Sequence, residues 1–252
     1  MSVARLEEHA AIWRVKPELR RVYSVWFDAL LAQAPRGARV IEIGAGPGAF
    51  ADHARLQRPD LRWISSELAP APWNDVVADA QALPFRTGAA DAVLGLDVVH
   101  HLAHPRDFFA EAARVLRPGG RLAVVEPWVT PMSFLVYRFF HQERCATPTN
   151  PWDPFAAAAG AGKDLFDGNA AVPRALVRAT AAEAWRGLGL EPPRVELMNA
   201  FGYLLSLGFR RASLLPMAAV PAALWTDRRL QALAPLLALR AEMVWTRAGQ
   251  TV

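Results

Sequence analysis

Cysteine occurs once in the 252 residues, at Cys145, so neither an intrachain disulfide nor a multi-cysteine metal site can form, and no metal site is expected. Lysine is nearly as scarce. Only Lys16 and Lys163 are present, so arginine supplies almost all the positive charge behind a net charge of +4. The arginines are scattered, as in Arg20-Arg21, Arg210-Arg211 and Arg228-Arg229, rather than massed in a block. A GC-rich coding bias accounts for that spread; a mild field toward an anionic substrate or membrane surface is the other reading. No apolar run reaches the roughly 18 residues needed to span a bilayer. Residues 1–8 are amphipathic and lack the apolar stretch of a signal peptide. The expected location is cytoplasmic, with peripheral membrane contact left open.

Apolar residues are plentiful. They make up 53% of the chain, with nine tryptophans, enough for a sizeable core. Over residues 4–33 they recur at helical spacing, and Pro17 divides the stretch into two helices. Strand-like and helix-like segments then alternate. Strands are expected at 39–44, 61–65, 75–78, 92–96 and 121–125, with helices at 49–56 and 106–116. Such alternation implies parallel βαβ units in a doubly wound α/β sheet. After Pro127 the pattern changes: an apolar helix around Phe134–Phe140, Pro/Gly/Asn-rich loop, a helix at 180–189, a strand at 194–198, an apolar stretch broken by Pro216, Pro221 and Pro235, and a last strand at 241–246.

The first strand runs into Glu42-Ile43-Gly44-Ala45-Gly46-Pro47-Gly48, where glycines permit close backbone approach and a helix N-terminus offers amide donors. Alone, Gly44-x-Gly46-x-x-Ala49 also reads as a dinucleotide fingerprint. Three later features separate the readings: Glu67 at the end of the second strand, Asp79-Ala80-Gln81-Ala82-Leu83-Pro84-Phe85 after the third, and Leu116-Arg117-Pro118-Gly119-Gly120-Arg121 before the fifth. With Val98-Val99-His100-His101-Leu102, these motifs resemble class I S-adenosylmethionine (SAM)-dependent methyltransferases, most closely the small-molecule branch that includes ubiquinone/menaquinone methylases. The resemblance covers residues 37–127. It implies a Rossmann-like sheet of about seven mostly parallel strands with a helical cap after strand 5. It also implies SAM as cofactor: Gly44, Ala45, Gly46 and Gly48 around the methionine moiety, Glu42 acting indirectly through the amino group, Glu67 on the ribose, Asp79 and Ala80 at the adenine, and Asp97 beside the methionine end and the acceptor. One departure stands out. Only residues 68–74, rich in proline, separate the second and third strands, too few for a crossover helix. The adenine side is then either more open or closed by Trp73 and the C-terminal half.

On the acceptor side, His100 is the preferred general base, with His141 and Glu126 behind it. Trp128, Tyr137 and Arg138 are candidate acceptor contacts, His101 is expected to pack, and loop 164–169 is either a closing segment or filler. The expected reaction is methyl transfer to O, N or C of a small, largely apolar acceptor, by a monomer or homodimer. Residues 1–36 would be N-terminal helices, 37–127 the SAM-binding half, 128–192 the cap and 193–252 the completion of the sheet, all within one domain. Nucleic acid is not an expected partner: position 97–101 lacks the Asp/Asn-Pro-Pro-aromatic motif of DNA amino-methylases, and Cys145 lies in no RNA-methylase motif. The rival reading is a SAM-binding protein that does not transfer methyl groups, either a scaffold or an enzyme of another reaction in a biosynthetic pathway.

Overall fold

The computed structural model describes residues 3–139, 145–154 and 168–249. Seven strands form one sheet: β1 (Arg39–Ile43), β2 (Arg62–Glu67), β3 (Val76–Val77), β4 (Ala90–Leu96), β5 (Leu116–Pro127), β6 (Arg194–Met198) and β7 (Arg240–Thr246), in the order β3-β2-β1-β4-β5-β7-β6. The strands from β1 to β5 pair in parallel, and β7 inserts antiparallel between β5 and β6.

Successive strand residues point to opposite faces, and the sequence fills both with apolar groups. Ile41 and Ile43 of β1, Val93 of β4, Leu122 and Val124 of β5, and Met243 and Trp245 of β7 face one core. Helices α4 (Pro105–Val115), α6 (Val172–Ala179) and α7 (Ala182–Gly187) complete it, with Phe109, Trp185 and Trp245 rings at 4.9–5.4 Å centroid separations. The alternate residues, Val40, Ala92, Leu94, Ala123, Val125 and Val244, meet the opposite helices: α2 (Pro17–Leu31), α3 (Ala49–Gln57), α8 (Phe201–Ser206) and α9 (Val220–Arg229). Burying a phenylalanine such as Phe108 or Phe109 contributes about 1.5–3 kcal/mol, so the two faces together hold the sheet rigid beneath the loops at its strand ends.

No helix joins β2 to β3, as the short segment implied. The regions read only as apolar or loop-like turn out to hold helices. Pro173, Pro221 and Pro235 sit in the first turns of α6, α9 and α10 (Ala234–Leu237), where the missing N–H costs nothing. In the N-terminal part α1 (Val3–Val15) lies ahead of Pro17, and Lys16 between the helices reaches the C-terminal end of α8, donating to the carbonyls of Ser206, Gly208 (2.7 Å), Arg210 (2.8 Å) and Ala212 (3.0 Å). That buried ammonium clamps the far half of the chain to the first two helices. Helix α5 (Pro131–Phe139) follows β5, its N-terminus capped by reciprocal Thr130 and Ser133 bonds. Among the described residues no helix is long and apolar enough to cross a membrane.

Candidate functional site

At the carboxyl ends of β1, β2 and β4 lies a cavity of about 480 Å³, within the range of sites that take drug-sized ligands (about 300–1,000 Å³). The glycine turn forms one wall. Gly44, Gly46 and Gly48 have φ of 63°, 51° and 77°, dihedrals that disfavour any side chain. Two of them are crowded as well: a Cβ on Gly44 would collide with Val98 Cγ2, and one on Gly48 would come within 2.6 Å of Trp73 Cδ1. Trp73 also donates its indole N–H to Gly46 O at 2.8 Å. The segment replacing the absent crossover helix thus braces the glycine turn from outside the cavity.

Glu67, the last residue of β2, reaches back to the same turn. Its Oε2 accepts from Gly46 N at 3.0 Å and its Oε1 from Leu68 N at 2.8 Å and Ala69 N at 3.4 Å. A carboxylate has about four lone-pair sites, so the three donors leave about one open, and Glu67 lines the cavity. Asp79 is turned similarly by Gln81, whose backbone and side-chain amides donate to it at 2.8 and 3.1 Å. Glu42 is fully buried on β1 and accepts from Trp63 Nε1 at 2.9 Å. Burial pushes its carboxyl up to about 8, against the opposing pull of that bond.

At the other end, β4 stops at Asp97, held with φ of 57°. A 3-10 turn, Val99–His101, follows. Glu126 of β5 holds this turn: Oε1 accepts from Val98 N at 2.7 Å and Val99 N at 2.8 Å, and Oε2 lies 2.6 Å from His100 Nδ1. With Nδ1 donating to this carboxylate, Nε2 is the ring nitrogen left to act as a base. Arg240, opening β7, forms an ion pair with Asp97 and lies over the rings of Trp26 (4.6 Å) and Tyr203 (5.1 Å). Burial raises the Asp97 carboxyl, and the Arg240 charge opposes the shift. Asp97, His100 and Glu126 bring one ligand atom each within 4.8 Å. The guanidinium on Asp97 Oδ1 and the N–H donors on Glu126 already occupy acceptor positions within this group.

Most of the residues singled out from sequence share this one cavity. Glu42, Gly44, Ala45, Gly46, Glu67, Asp79 and Ala80 line one end, and Asp97, His100, His101 and Tyr137 the other. Gly48, Glu126, Trp128 and Arg138 do not line it. Gly48 supplies backbone geometry, and Glu126 sits behind His100. Trp128 is buried in the core on the α4 face, and Arg138 is exposed on α5. A helix turns about 100° per residue, which carries Arg138 away from the wall that Tyr137 faces. His141 lies outside the described residues, as do residues 164–167 of the second loop; Gly168 packs against the His100 and His101 rings, and Asn169 N donates to His100 O at 3.0 Å. Arg240, His9, Tyr23, Tyr203 and Phe209 line the cavity without having been singled out. The tyrosines carried a signal. The chain has three, and Tyr23, Tyr137 and Tyr203 all face the cavity.

A seven-stranded sheet of this order with an antiparallel β7, and a glycine turn flanked by acids at or near the ends of β1, β2 and β3, defines the class I SAM-dependent methyltransferase fold. Residues 41–124 match the family model described as a methyltransferase domain. The chain is similar to malonyl-acyl-carrier-protein O-methyltransferase of Hahella chejuensis, 35% identical over 95 residues, which cover 33% of this chain and 34% of the relative. It is likewise 32% identical over 123 residues to the ubiquinone/menaquinone biosynthesis C-methyltransferase UbiE of Dinoroseobacter shibae, covering 42% of this chain and 49% of the relative. The matches thus span between a third and a half of these relatives. Among solved structures, geranyl diphosphate C-methyltransferase from Streptomyces coelicolor A3(2), in complex with Mg2+, geranyl diphosphate and S-adenosyl-L-homocysteine, shares the fold at a TM-score of 0.55 with 17% identity, over 89% of this chain and 79% of that one.

Proposed function

We propose that this protein is a SAM-dependent methyltransferase that methylates a small, largely apolar acceptor, with His100 as general base. The observation that carries the reading is a single cavity with a nucleotide-like cradle at one end and an oriented histidine among aromatic walls at the other. The cradle fits the cofactor chemically. Glu67 keeps acceptor capacity for a ribose hydroxyl after taking three backbone N–H groups, and Asp79 has a carboxylate oxygen for an adenine amino group. Glu42 is a buried acid placed to meet an ammonium. When bound, SAM supplies a methyl group on a sulfonium, an electrophile that needs no further activation.

The chain's own residues then have limited work. Tyr23, Tyr137, Tyr203 and Phe209 line the cavity on the acceptor side and exclude water from an apolar acceptor. Glu126 fixes the His100 tautomer, and Nε2 takes the proton from an acceptor hydroxyl as its oxygen bonds to the methyl carbon and the carbon–sulfur bond breaks. Oxygen is the accepting atom proposed; nitrogen or carbon transfer would need a different proton inventory at His100. The test is release of S-adenosylhomocysteine from SAM with a panel of hydroxylated aromatic and isoprenoid acceptors. The expected result is acceptor-dependent release that His100→Asn lowers about 10²- to 10⁴-fold. Release that no acceptor stimulates, despite bound SAM, would instead support a protein that binds the cofactor without transfer.

A further inference from the structure

The helices that wall the acceptor end of the cavity are apolar on both sides. Val136 and Tyr137 of α5 line the cavity, while Phe134 and Leu135 of the same helix are exposed. Tyr203 and Leu204 of α8 line it, while Leu205 is exposed. A helix covering a soluble site ordinarily turns polar residues outward. Here the exposed apolar surface continues across neighbouring elements. Leu214 N donates to Leu205 O at 2.8 Å, which sets two exposed leucines side by side. Met217 opens the turn into α9, which packs on α8 and presents Pro221, Ala222 and Trp225 along one exposed side. Leu233 and Leu236 extend the surface to α10, which touches α5 and so returns to Phe134. Trp225 is 53% and Leu214 69% exposed, too much for side chains that merely fringe a core.

The chain segment that builds most of this face is largely of one sign. Residues 201–239 contain Arg210, Arg211, Arg228 and Arg229 and a single acid, Asp227. That acid is spoken for by the α8 N-terminus, where Phe201 N and Gly202 N donate to it at 2.8 and 3.3 Å. Arg229 lies 5.1 Å above the Trp225 ring, a cation and an amphipathic aromatic presented together. A second copy docked about a two-fold axis would bring the arginines of both copies into one interface with only Asp227 of each to offset them. A layer of anionic headgroups answers both features: the aliphatic and indole groups bury at the acyl boundary, and the guanidinium groups meet phosphates.

We propose that the face formed by α5, α8, α9 and α10 is a docking surface for an anionic phospholipid bilayer, seating the acceptor end of the cavity at the membrane interface. The docking surface goes beyond the methyltransferase reading; only the naming of the cavity's acceptor end rests on that reading, and flotation tests the surface alone. Flotation of the full chain tests it, with vesicles of phosphatidylglycerol and phosphatidylcholine compared with phosphatidylcholine alone at about 0.15 M salt. The protein is expected to float with the anionic vesicles and to remain behind with the neutral ones. Trp225→Ala and the double variant Arg228→Glu/Arg229→Glu, checked for unchanged circular dichroism and thermal midpoint, are each expected to lower partitioning about tenfold. A parent protein that ignores anionic vesicles overturns the proposal, and so does undiminished partitioning of the double glutamate variant. Light scattering that shows a dimer broken by Trp225→Ala overturns it as well, by giving this face to a second copy.

Discussion

Glu126 holds His100 through two bonds of different kinds: its Oε2 lies 2.6 Å from the ring Nδ1 and also accepts from the His100 backbone N–H at 3.4 Å. Ring and backbone are thereby locked to one carboxylate that is itself fully buried. The consequence for activity is a split between binding and turnover. Glu126→Gln replaces an acceptor-only group with one that also donates, so the His100 tautomer is no longer imposed. Its kcat is expected to fall by about 10²-fold or more while S-adenosylhomocysteine affinity stays near that of the parent. Equal losses in both would remove Glu126 from a positioning role.

Glu42 titrates in an unusual range, and the sign of the effect is definite. Burial raises its folded-state pKa to about 8 from the usual 4.5, so the folded protein holds a proton that the unfolded chain gives up. Stability therefore falls as pH rises from about 4.5 through about 8 and levels off above that. Glu42→Gln keeps a neutral acceptor for the Trp63 indole and is expected to flatten this slope, read as the urea midpoint at pH 5 and pH 8. An ammonium brought beside Glu42 pulls its pKa down. Titrating SAM near pH 7 in buffers of different ionisation enthalpy should reveal proton release that Glu42→Gln abolishes.

The Asp97–Arg240 pair fastens the end of β4 to the start of β7, with Arg240 buried against Trp26 and Tyr203. Removing the cation strands a carboxylate that burial already disfavours. Arg240→Met is expected to cost about 3 kcal/mol in chemical denaturation, and adding Asp97→Asn to recover part of the loss, because the orphaned charge goes with it. Additive losses in the double variant would show that the two side chains do not act as a pair.

The sheet was legible because its pattern is local. Strand residues alternate between two apolar faces, and the glycine turn and the acids at 67 and 79 sit where strands end, so fold and cradle follow from short windows of sequence. What escaped is made of distant partners. Arg240 pairs with a residue 143 positions earlier, and nothing beside it in the chain marks it as more than the first residue of a strand. Helices α6, α9 and α10 are short and begin at prolines, and a proline in an apolar stretch reads as a break before packing shows it to be a first turn. Trp128 and Tyr137 looked equivalent as aromatic residues after β5. One turns into the α4-side core, while the other lines the cavity and donates its hydroxyl to Leu239 O at 3.0 Å.

Isothermal titration of the purified chain with SAM, S-adenosylhomocysteine and NAD bears most directly on the central claim, a cradle built from the glycine turn, Glu67 and Asp79. Saturable binding of both adenosyl ligands is expected, weakened about tenfold or more by Glu67→Ala, with no heat from NAD. Heat from NAD alone, with neither adenosyl ligand bound, would contradict the account.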